Sequence, residues 1–367
     1  MFWGSHKTKT ALSNVKDNEQ VISEITNDDL DWKCSGTGSE THSIYFKLNN
    51  GYFLFIQFAW AKIAISTTYQ TNFYLYVPGS PGIFETINQS TMNVGKDKLS
   101  VSGENLNISW SFDMKEITFM YNNNKKDPKE NISVIATYKD FAKGYKIGDG
   151  KNHIAGGIAM HSFYPNGKVE ATISFNGLKE PVIDSGLGLF IRACSTGILP
   201  YNIGEDWLLS VVTNNPAQEN QDEYLFHLMH YTTPQKYGGQ DITQGAIIRK
   251  DKPAVYFYNN TAEYLDMTSG ISKNYDIPSS VKITCHGMTS DGKKASLNFL
   301  AKTEFFANEI DVLGQLNKLI KTFVQALVTK PYIFQFHQKN AKLTLQIEGE
   351  DEVILAGDGF LELTMMK

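Results

Sequence analysis

Turn-forming residues divide this chain into many short apolar or aromatic segments, and this division is the feature that most constrains its fold. The sequences Asn49-Asn50-Gly51, Pro78-Gly79 and Pro165-Asn166-Gly167 each end or separate such segments. Glycine, proline and asparagine in these positions are typical of turns between antiparallel strands. Aromatic residues, which favour strands, make up 12% of the chain. Short strands at regular spacing predict an antiparallel sandwich or barrel rather than alternating strands and helices.

One segment near the end of the chain departs from this strand pattern. Between Glu309 and Thr329, apolar residues recur mostly at steps of three and four positions, which predicts an amphipathic helix over 309–329. Asn308 is placed to cap its start, and Pro331 follows its end. A single helix followed by closing strands is a lipocalin-like arrangement. The apolar residues of this helix are Ile310, Leu313, Leu316, Leu319, Ile320, Phe323, Val324 and Leu327.

The length of 367 residues predicts two domains. Residues 1–20 are mostly polar and are expected to form an N-terminal arm. A loop around Gly177–Ser185 is the predicted boundary, so the two domains cover 21–176 and 177–367. The sequence therefore predicts an all-β protein of two lipocalin-like antiparallel β-barrels, of which the second carries the C-terminal amphipathic helix.

The charge and the apolar segments exclude several classes of protein. The chain has 34 lysines and arginines against 39 aspartates and glutamates, a formal net charge of −5, so it lacks the basic surface of a nucleic-acid-binding protein. No apolar run approaches the roughly 20 residues of a bilayer-spanning helix. The N-terminus lacks the apolar segment of a secretory signal, and Cys34, Cys194 and Cys285 form no CxxC pair. We expect a cytoplasmic protein with reduced thiols.

No pattern of residues indicates a catalytic or metal centre. His227 and His230 lie three positions apart, so on a strand they point to opposite faces and do not easily share one metal ion. The sequence has no nucleophile elbow and no nucleotide-binding glycine loop in a strand–helix context. We therefore predict no catalytic residues, no metal and no cofactor.

The segment from Tyr52 to Trp60 is apolar on both faces of the strand that it predicts. Such a strand must be covered on both faces, and we predict that the more apolar face points into the first barrel. Two interpretations stay open: these residues fill a packed core, or some of them line a cavity for an apolar ligand. The residues of the predicted inward face are Tyr52, Leu54, Ile56, Phe58 and Trp60, and the opposite face carries Gln57.

Two aromatic residues, Phe2 and Trp3, lie at the otherwise polar N-terminus and are followed by Lys7 and Lys9. Aromatic rings next to lysines suit the boundary between water and an anionic lipid surface. We expect these four residues to make weak, reversible contact with membranes. The alternative is a disordered arm or an arm that docks on its own domain.

Five short strings of the chain are familiar when taken together: Asp29–Lys33, Tyr145–Asp149, His161–Pro165, Tyr231–Gly238 and Lys330–Phe336. They resemble the fungal survival-factor family and occur in the order of that family. The resemblance implies a double lipocalin-like fold, a link to survival under oxidative stress and non-vesicular transfer of ceramide from the endoplasmic reticulum to the Golgi. It brings no catalytic motif.

The predicted function is the binding, and the transfer, of a ceramide-like sphingolipid without catalysis. Each methylene that leaves water contributes roughly 0.8 kcal/mol, so an apolar barrel shields acyl chains while a few polar groups bind the amide and hydroxyls. Besides the apolar face described above, Gln57, His227 and Tyr231 are the candidate polar contacts. The expected partners are this lipid and a transient membrane surface at the endoplasmic reticulum or Golgi, and the chain is expected to be a monomer.

Two alternatives to this function stay open. A hydratase or cyclase-like enzyme on the same double-barrel fold requires an aspartate or glutamate with a raised pKa inside the cavity. An interaction protein without a ligand requires filled barrels.

Overall fold

The structure is a computed structural model and describes residues 21–63, 65–214, 223–312, 314 and 330–366. Strands dominate this part of the chain, which confirms the predicted all-β class. No helix in these ranges is both long and apolar enough to cross a membrane. The helical elements within them are the α-helices α1 (Asn27–Leu30) and α2 (Pro200–Ile203) and the 3-10 helices η1 (Pro128–Glu130) and η2 (Gln235–Tyr237).

The first sheet contains 14 strands and is antiparallel throughout its determined registers. Its main path runs β5-β4-β3-β2-β14-β13-β10-β9-β8-β7-β6, with β1, β11 and β12 joined at the side. The strands are β1 (Ile22–Glu24), β2 (Gly38–Leu48), β3 (Phe53–Ile63), β4 (Ser66–Tyr76), β5 (Ile83–Gln89), β6 (Asn93–Val94), β7 (Val101–Ser102), β8 (Leu106–Trp110), β9 (Glu116–Asn122), β10 (Ile132–Lys139), β11 (Tyr145–Ile147), β12 (Lys151–Ile154), β13 (Gly157–Phe175) and β14 (Val182–Thr196).

The first sheet curls until side chains from its two ends meet, but within the described residues its end strands β5 and β6 are not paired with each other. The ring of Phe73 on β4 stacks on that of Tyr121 on β9 with centroids 4.1 Å apart. The hydroxyl of Tyr121 donates to Oε2 of Glu85 on β5 at 2.6 Å. The first barrel is therefore a half-barrel held together by side chains, where the sequence predicted a barrel like the second.

The second sheet contains nine strands, and eight of them close into a barrel. Residues Ala295–Phe299 of one end strand pair with Leu343–Ile347 of a strand near the other end of the sheet, and this pairing closes the ring. The ring order is β20-β19-β18-β17-β16-β15-β23-β22, and β21 pairs with β22 outside the ring. The strands are β15 (Asp206–Asn214), β16 (Tyr224–Thr232), β17 (Asp241–Arg249), β18 (Val255–Thr268), β19 (Ile277–Thr289), β20 (Lys294–Lys302), β21 (Phe305–Asp311), β22 (Pro331–Ile347) and β23 (Val353–Met366).

Alternation along each strand sends one face into an apolar core, because successive side chains of a strand point to opposite sides. In β3 the even-numbered residues from Leu54 to Trp60 belong to the first core. In β16 the residues Tyr224, Phe226 and Leu228 belong to the second core, inside the closed barrel. Each sheet thus has its own core.

The division of the chain into compact units differs from the boundary predicted at 176/177. One unit consists of Glu24–Lys146 and Met160–Leu199, and the other of residues 21–23, 147–159 and the described part of 200–366. Residues 177–199 belong to the first unit because β14 pairs with β2, from Gly186 opposite Leu48 to Thr196 opposite Gly38. A pairing between strands so distant in sequence leaves no local signal.

The predicted start of the C-terminal helix is wrong. Glu309 and Ile310 lie in β21, opposite Phe334 and Ile333 of β22, and Asn308 is a strand residue rather than a helix cap. The free edge of β22 satisfies the backbone hydrogen bonds of this segment, and that pairing overrides the helical periodicity. The remainder of the predicted helix, 313 and 315–329, lies outside the described residues.

Candidate functional site

The inward face predicted for β3 is the face that contributes to the first core. Leu54, Ile56, Phe58 and Trp60 lie in the first core, and Tyr52, just before the strand, is half-buried against it. These residues pack on other core side chains rather than on solvent. Their contact with a ligand stays a prediction.

Gln57 lies on the opposite, outer face of β3, away from the residues with which it was predicted to bind a ligand. Its Nε2 donates to Oγ of Ser43 at 2.9 Å, and its Oε1 accepts from Nδ2 of Asn72 at 2.7 Å. Oδ1 of Asn72 accepts in turn from Thr86 at 2.9 Å. This row of hydrogen bonds crosses β2, β3, β4 and β5, so Gln57 stabilises the pairing of the strands.

A buried ion pair between Arg192 and Glu40 closes one end of the first core. The Arg192 guanidinium also donates to the carbonyl of Leu30 at 3.2 Å and of Asp31 at 2.8 Å, and lies 5.0 Å from the centre of the Trp32 ring. Both members of the pair are nearly inaccessible to solvent. Their partners are main-chain groups at the end of α1, so this cluster fixes α1 on the sheet.

The other end of the first core opens into a cleft of about 270 Å³. Glu85 dominates its polar side: it accepts from Tyr121 at 2.6 Å and from Nδ2 of Asn123 at 3.2 Å, and its Oε1 lies 3.3 Å from Nζ of Lys125. The carboxylate of Glu85 is therefore already paired within the protein. Oδ1 of Asn131, also in its wall, is buried without a hydrogen-bond partner.

The two histidines of β16 point to opposite faces, as their spacing predicts. His227 and Tyr231 are buried on the outer face, whereas His230 continues the inward row of Tyr224, Phe226 and Leu228. His227 and Tyr231, the two residues predicted as polar ligand contacts, therefore face away from the barrel interior. The structure instead brings His230 to the interior of the closed barrel.

A bulge in β18 brings two further polar side chains into this interior. Tyr258 is the extra residue, because Phe257 pairs with Gly287 and Asn259 with His286, the very next residue. Inward positions are odd-numbered before the bulge and even-numbered after it, so Asn260 and Tyr264 both point inward. Oδ1 of Asn260 accepts from the hydroxyl of Thr243 on β17 at 2.5 Å.

Asp206, the first residue of β15, points inward and completes a polar end of the barrel. The hydroxyl of Tyr264 lies 2.9 Å from both carboxylate oxygens of Asp206 and donates to them. Burial raises the pKa of Asp206, while the Tyr264 hydrogen bond and His230 oppose that rise. Burial lowers the pKa of His230, and Asp241, whose Oδ1 is 3.9 Å from Nε2, opposes that fall. The neutral imidazole is thus favoured inside the barrel.

Five buried polar atoms on inward-facing side chains of β15–β18 have no hydrogen-bond partner. A buried polar atom left without a partner costs about 1–3 kcal/mol, so the set is unfavourable unless polar groups meet it. The surrounding interior is apolar, with Leu208, Val281 and Leu363 among its walls. We call this set the polar row: Ser210 Oγ, Tyr224 OH, His230 Nδ1, Arg249 Nε and Asn260 Nδ2.

The polar row could not be predicted from the sequence, because its five residues are spread over four strands and form no motif. The one signal present was the alternation of β16, which places His230 on the same face as Phe226 and Leu228. The bulge at Tyr258 hides the corresponding signal for Asn260. Phe2, Trp3, Lys7 and Lys9, the predicted membrane contacts, lie outside the described residues.

Sequence comparison finds one family along nearly the whole chain. The profile of the Svf1 family matches residues 3–367. The ceramide-binding protein svf-1 of Neurospora crassa is 28% identical over 356 residues, which cover 94% of this chain and 90% of that protein. The ceramide-binding protein svf1 of Aspergillus fumigatus is 27% identical over 325 residues, 85% of this chain and 78% of that protein.

Structure comparison finds the same fold in distant proteins. Kievitone hydratase from Nectria haematococca superimposes with a TM-score of 0.57 at 12% identity, covering 98% of both chains. CghA in complex with Sch210972 gives 0.59 at 11% identity, covering 94% of this chain and 99% of that one. A putative AttH from Nitrosomonas europaea gives 0.59 at 11% identity, covering 95% and 98%. At such identities the likeness concerns the fold alone, and it confirms the predicted lipocalin-like architecture.

Proposed function

Because the chain belongs to the Svf1 family, we propose that it binds ceramide and that the ligand lies inside the closed second barrel. The observation that carries the location is the polar row in an otherwise apolar interior. Ceramide has the matching chemistry: an amide and two hydroxyls, joined to two hydrocarbon chains. Its polar groups would partner buried atoms that have none, and its chains would contact the apolar walls. The names of the relatives in Neurospora and Aspergillus support the ligand.

The polar end of the barrel supplies the donors and acceptors that the ceramide head group requires. Nδ2 of Asn260 is placed to donate to the amide oxygen of ceramide. Burial lowers the pKa of His230, so its imidazole is neutral. In the tautomer with the proton on Nε2, Nδ1 accepts a hydrogen bond from a ceramide hydroxyl. The carboxylate of Asp206, held by Tyr264, is a further acceptor at the same end.

Two neighbouring asparagines of β18 provide a matched test. Asn260→Leu removes the inward donor, whereas Asn259→Leu changes an exposed side chain on the outer face. We expect Asn260→Leu to weaken binding of a fluorescent ceramide about tenfold or more, since the buried carbonyl of the ligand loses its donor. Asn259→Leu leaves the affinity unchanged. Equal affinities for the two variants, both folded by circular dichroism, contradict the location.

We further propose that the chain transfers ceramide between membranes as a cytoplasmic monomer. The family resemblance in the sequence supports this role, together with a link to survival under oxidative stress and transient contact with endoplasmic reticulum or Golgi membranes. Phe2, Trp3, Lys7 and Lys9 are the proposed contacts of the arm. Cell fractionation and transfer of labelled ceramide between donor and acceptor vesicles test this proposal; an absence of transfer by a ceramide-binding protein contradicts it.

We propose that the chain binds and carries ceramide without catalysing a reaction on it. One observation nevertheless favours an enzyme as the second candidate function. Asp206 is an inward-facing carboxyl with a raised pKa, next to Tyr264 and His230, which is the arrangement that acid–base chemistry on a lipid requires. Mass spectrometry of ceramide before and after incubation separates the two. Recovery of unchanged ceramide supports the carrier, and a product that Asp206→Asn fails to form supports the enzyme.

A further inference from the structure

The wall of the second barrel has a seam where β20 and β22 separate. The ladder between them ends at Phe299 and Leu343, after which β22 pairs with β21 instead. Across the gap, the side chain of Gln338 replaces the ladder: its Oε1 accepts from the backbone N–H of Lys302 at 3.1 Å, and its Nε2 donates to the carbonyl of Lys302 at 2.5 Å. A groove of about 470 Å³ lies along this seam.

The rim of the seam combines exposed apolar side chains with lysines. Leu300 and Phe305 are 46% and 42% exposed, although large apolar residues are usually covered. Lys339 places its ammonium 4.5 Å from the centre of the Phe305 ring, and Lys342 lies in the same groove.

The charge at this rim is positive. Lys302 is balanced by Glu304 at 3.0 Å, and Asp358 accepts from the backbone N–H of Asn340. Within the described part of the chain, no carboxylate forms an ion pair with Lys339 or Lys342. Aromatic and aliphatic side chains ringed by lysines match a surface that is apolar inside and anionic outside.

We propose that this seam docks the second barrel on an anionic lipid bilayer. We call the docking surface the seam patch and define it by Leu300, Lys302, Phe305, Lys339 and Lys342. The Phe305 ring and Leu300 enter the boundary between headgroups and acyl chains, and the lysines contact anionic headgroups. The inference rests on the proposed function for its purpose, since a carrier must meet the membrane that holds its lipid. It adds a membrane contact in the folded barrel, separate from the N-terminal arm.

Flotation of the full-length protein with vesicles tests the seam patch. Four proteins are compared on vesicles of phosphatidylcholine with and without phosphatidylserine: the parent, Lys339→Glu/Lys342→Glu, the charge-matched control Lys250→Glu/Lys252→Glu, and Phe2→Ser/Trp3→Ser. The control changes two exposed lysines in the turn after β17. Because each lysine near an anionic surface contributes about fivefold in affinity and its reversal repels, we expect a loss of at least tenfold for the seam variant alone on anionic vesicles.

The remaining outcomes decide the inference. The inference is supported if the Phe2→Ser/Trp3→Ser variant still binds vesicles measurably and this binding is lost when Lys339→Glu/Lys342→Glu is added. That result shows a membrane contact separate from the arm. Equal flotation of the seam variant and the parent overturns the inference, as does an equal loss in the control. Phe305→Ser is expected to lower binding without changing net charge. Uptake of short-chain ceramide in the absence of vesicles is measured in parallel: a seam variant that still takes it up has lost docking only, and a parent that does not take it up refutes the proposed function instead.

Discussion

At the scale of single residues, Arg192 and Glu40 form a buried ion pair whose charges are fully compensated within the protein. Each is almost fully inaccessible, and the guanidinium meets the carboxylate, two main-chain carbonyls and the face of Trp32. Removal of one partner leaves the other charge uncompensated in the core, so we expect Glu40→Ala to lower the free energy of unfolding by about 3–5 kcal/mol. Urea denaturation measures this change.

An exposed ion pair of the same sheet serves as the control. Lys139 and Glu170 lie 2.8 Å apart at the surface, and Glu170→Gln should cost less than about 1 kcal/mol. The double variant Glu40→Gln/Arg192→Met, which removes both charges, should be more stable than Glu40→Ala. Equal stability of Glu40→Ala and the parent would show that the pair does not hold α1 on the sheet.

At the scale of elements, the bulge of β18 decides which polar groups enter the second barrel. Tyr258 is unpaired in the ladder, whereas Thr261 pairs with Thr284. Deletion of Tyr258 leaves Asn260 and Tyr264 inward, so we expect a folded protein that retains ceramide binding. Deletion of Thr261 turns Tyr264 outward and shifts the apolar face, so we expect loss of binding and a lower melting temperature. Similar behaviour of the two deletions would contradict the assigned register.

The elements also show what the sequence alone can and cannot predict. Alternation predicted the inward face of β3 correctly, because Leu54, Ile56 and Phe58 are apolar without interruption. The same reasoning predicted a helix where β21 lies, because Ile310 fits both periods and the edge of β22 decides between them. His227 was chosen over His230 because nothing local distinguishes an inner from an outer face when both are buried. Register and bulges depend on how two strands pair, so they cannot be predicted from the sequence of one segment alone.

For the whole molecule, the two sheets differ in the features on which the proposed function depends. The first core is closed at one end by a buried ion pair, and the Glu85 carboxylate in its cleft is already paired. The second is a closed ring with a row of unpartnered polar atoms inside and a lysine-rimmed seam in its wall. The chain length and the short, regularly spaced strand segments predicted two barrels, but they did not predict this difference between the two sheets.

Photo-crosslinking with a ceramide that carries a diazirine in its acyl chain tests this central claim most directly. The full-length protein is loaded, irradiated and digested, and the modified peptides are identified by mass spectrometry. The account predicts adducts on inward-facing residues of β15–β19 and β22–β23, with Leu228 and Val281 among them, and a marked decrease in Asn260→Leu but not in Asn259→Leu. Adducts confined to Glu24–Lys146 and Met160–Leu199, unchanged in Asn260→Leu, would place ceramide in the first unit and contradict the account.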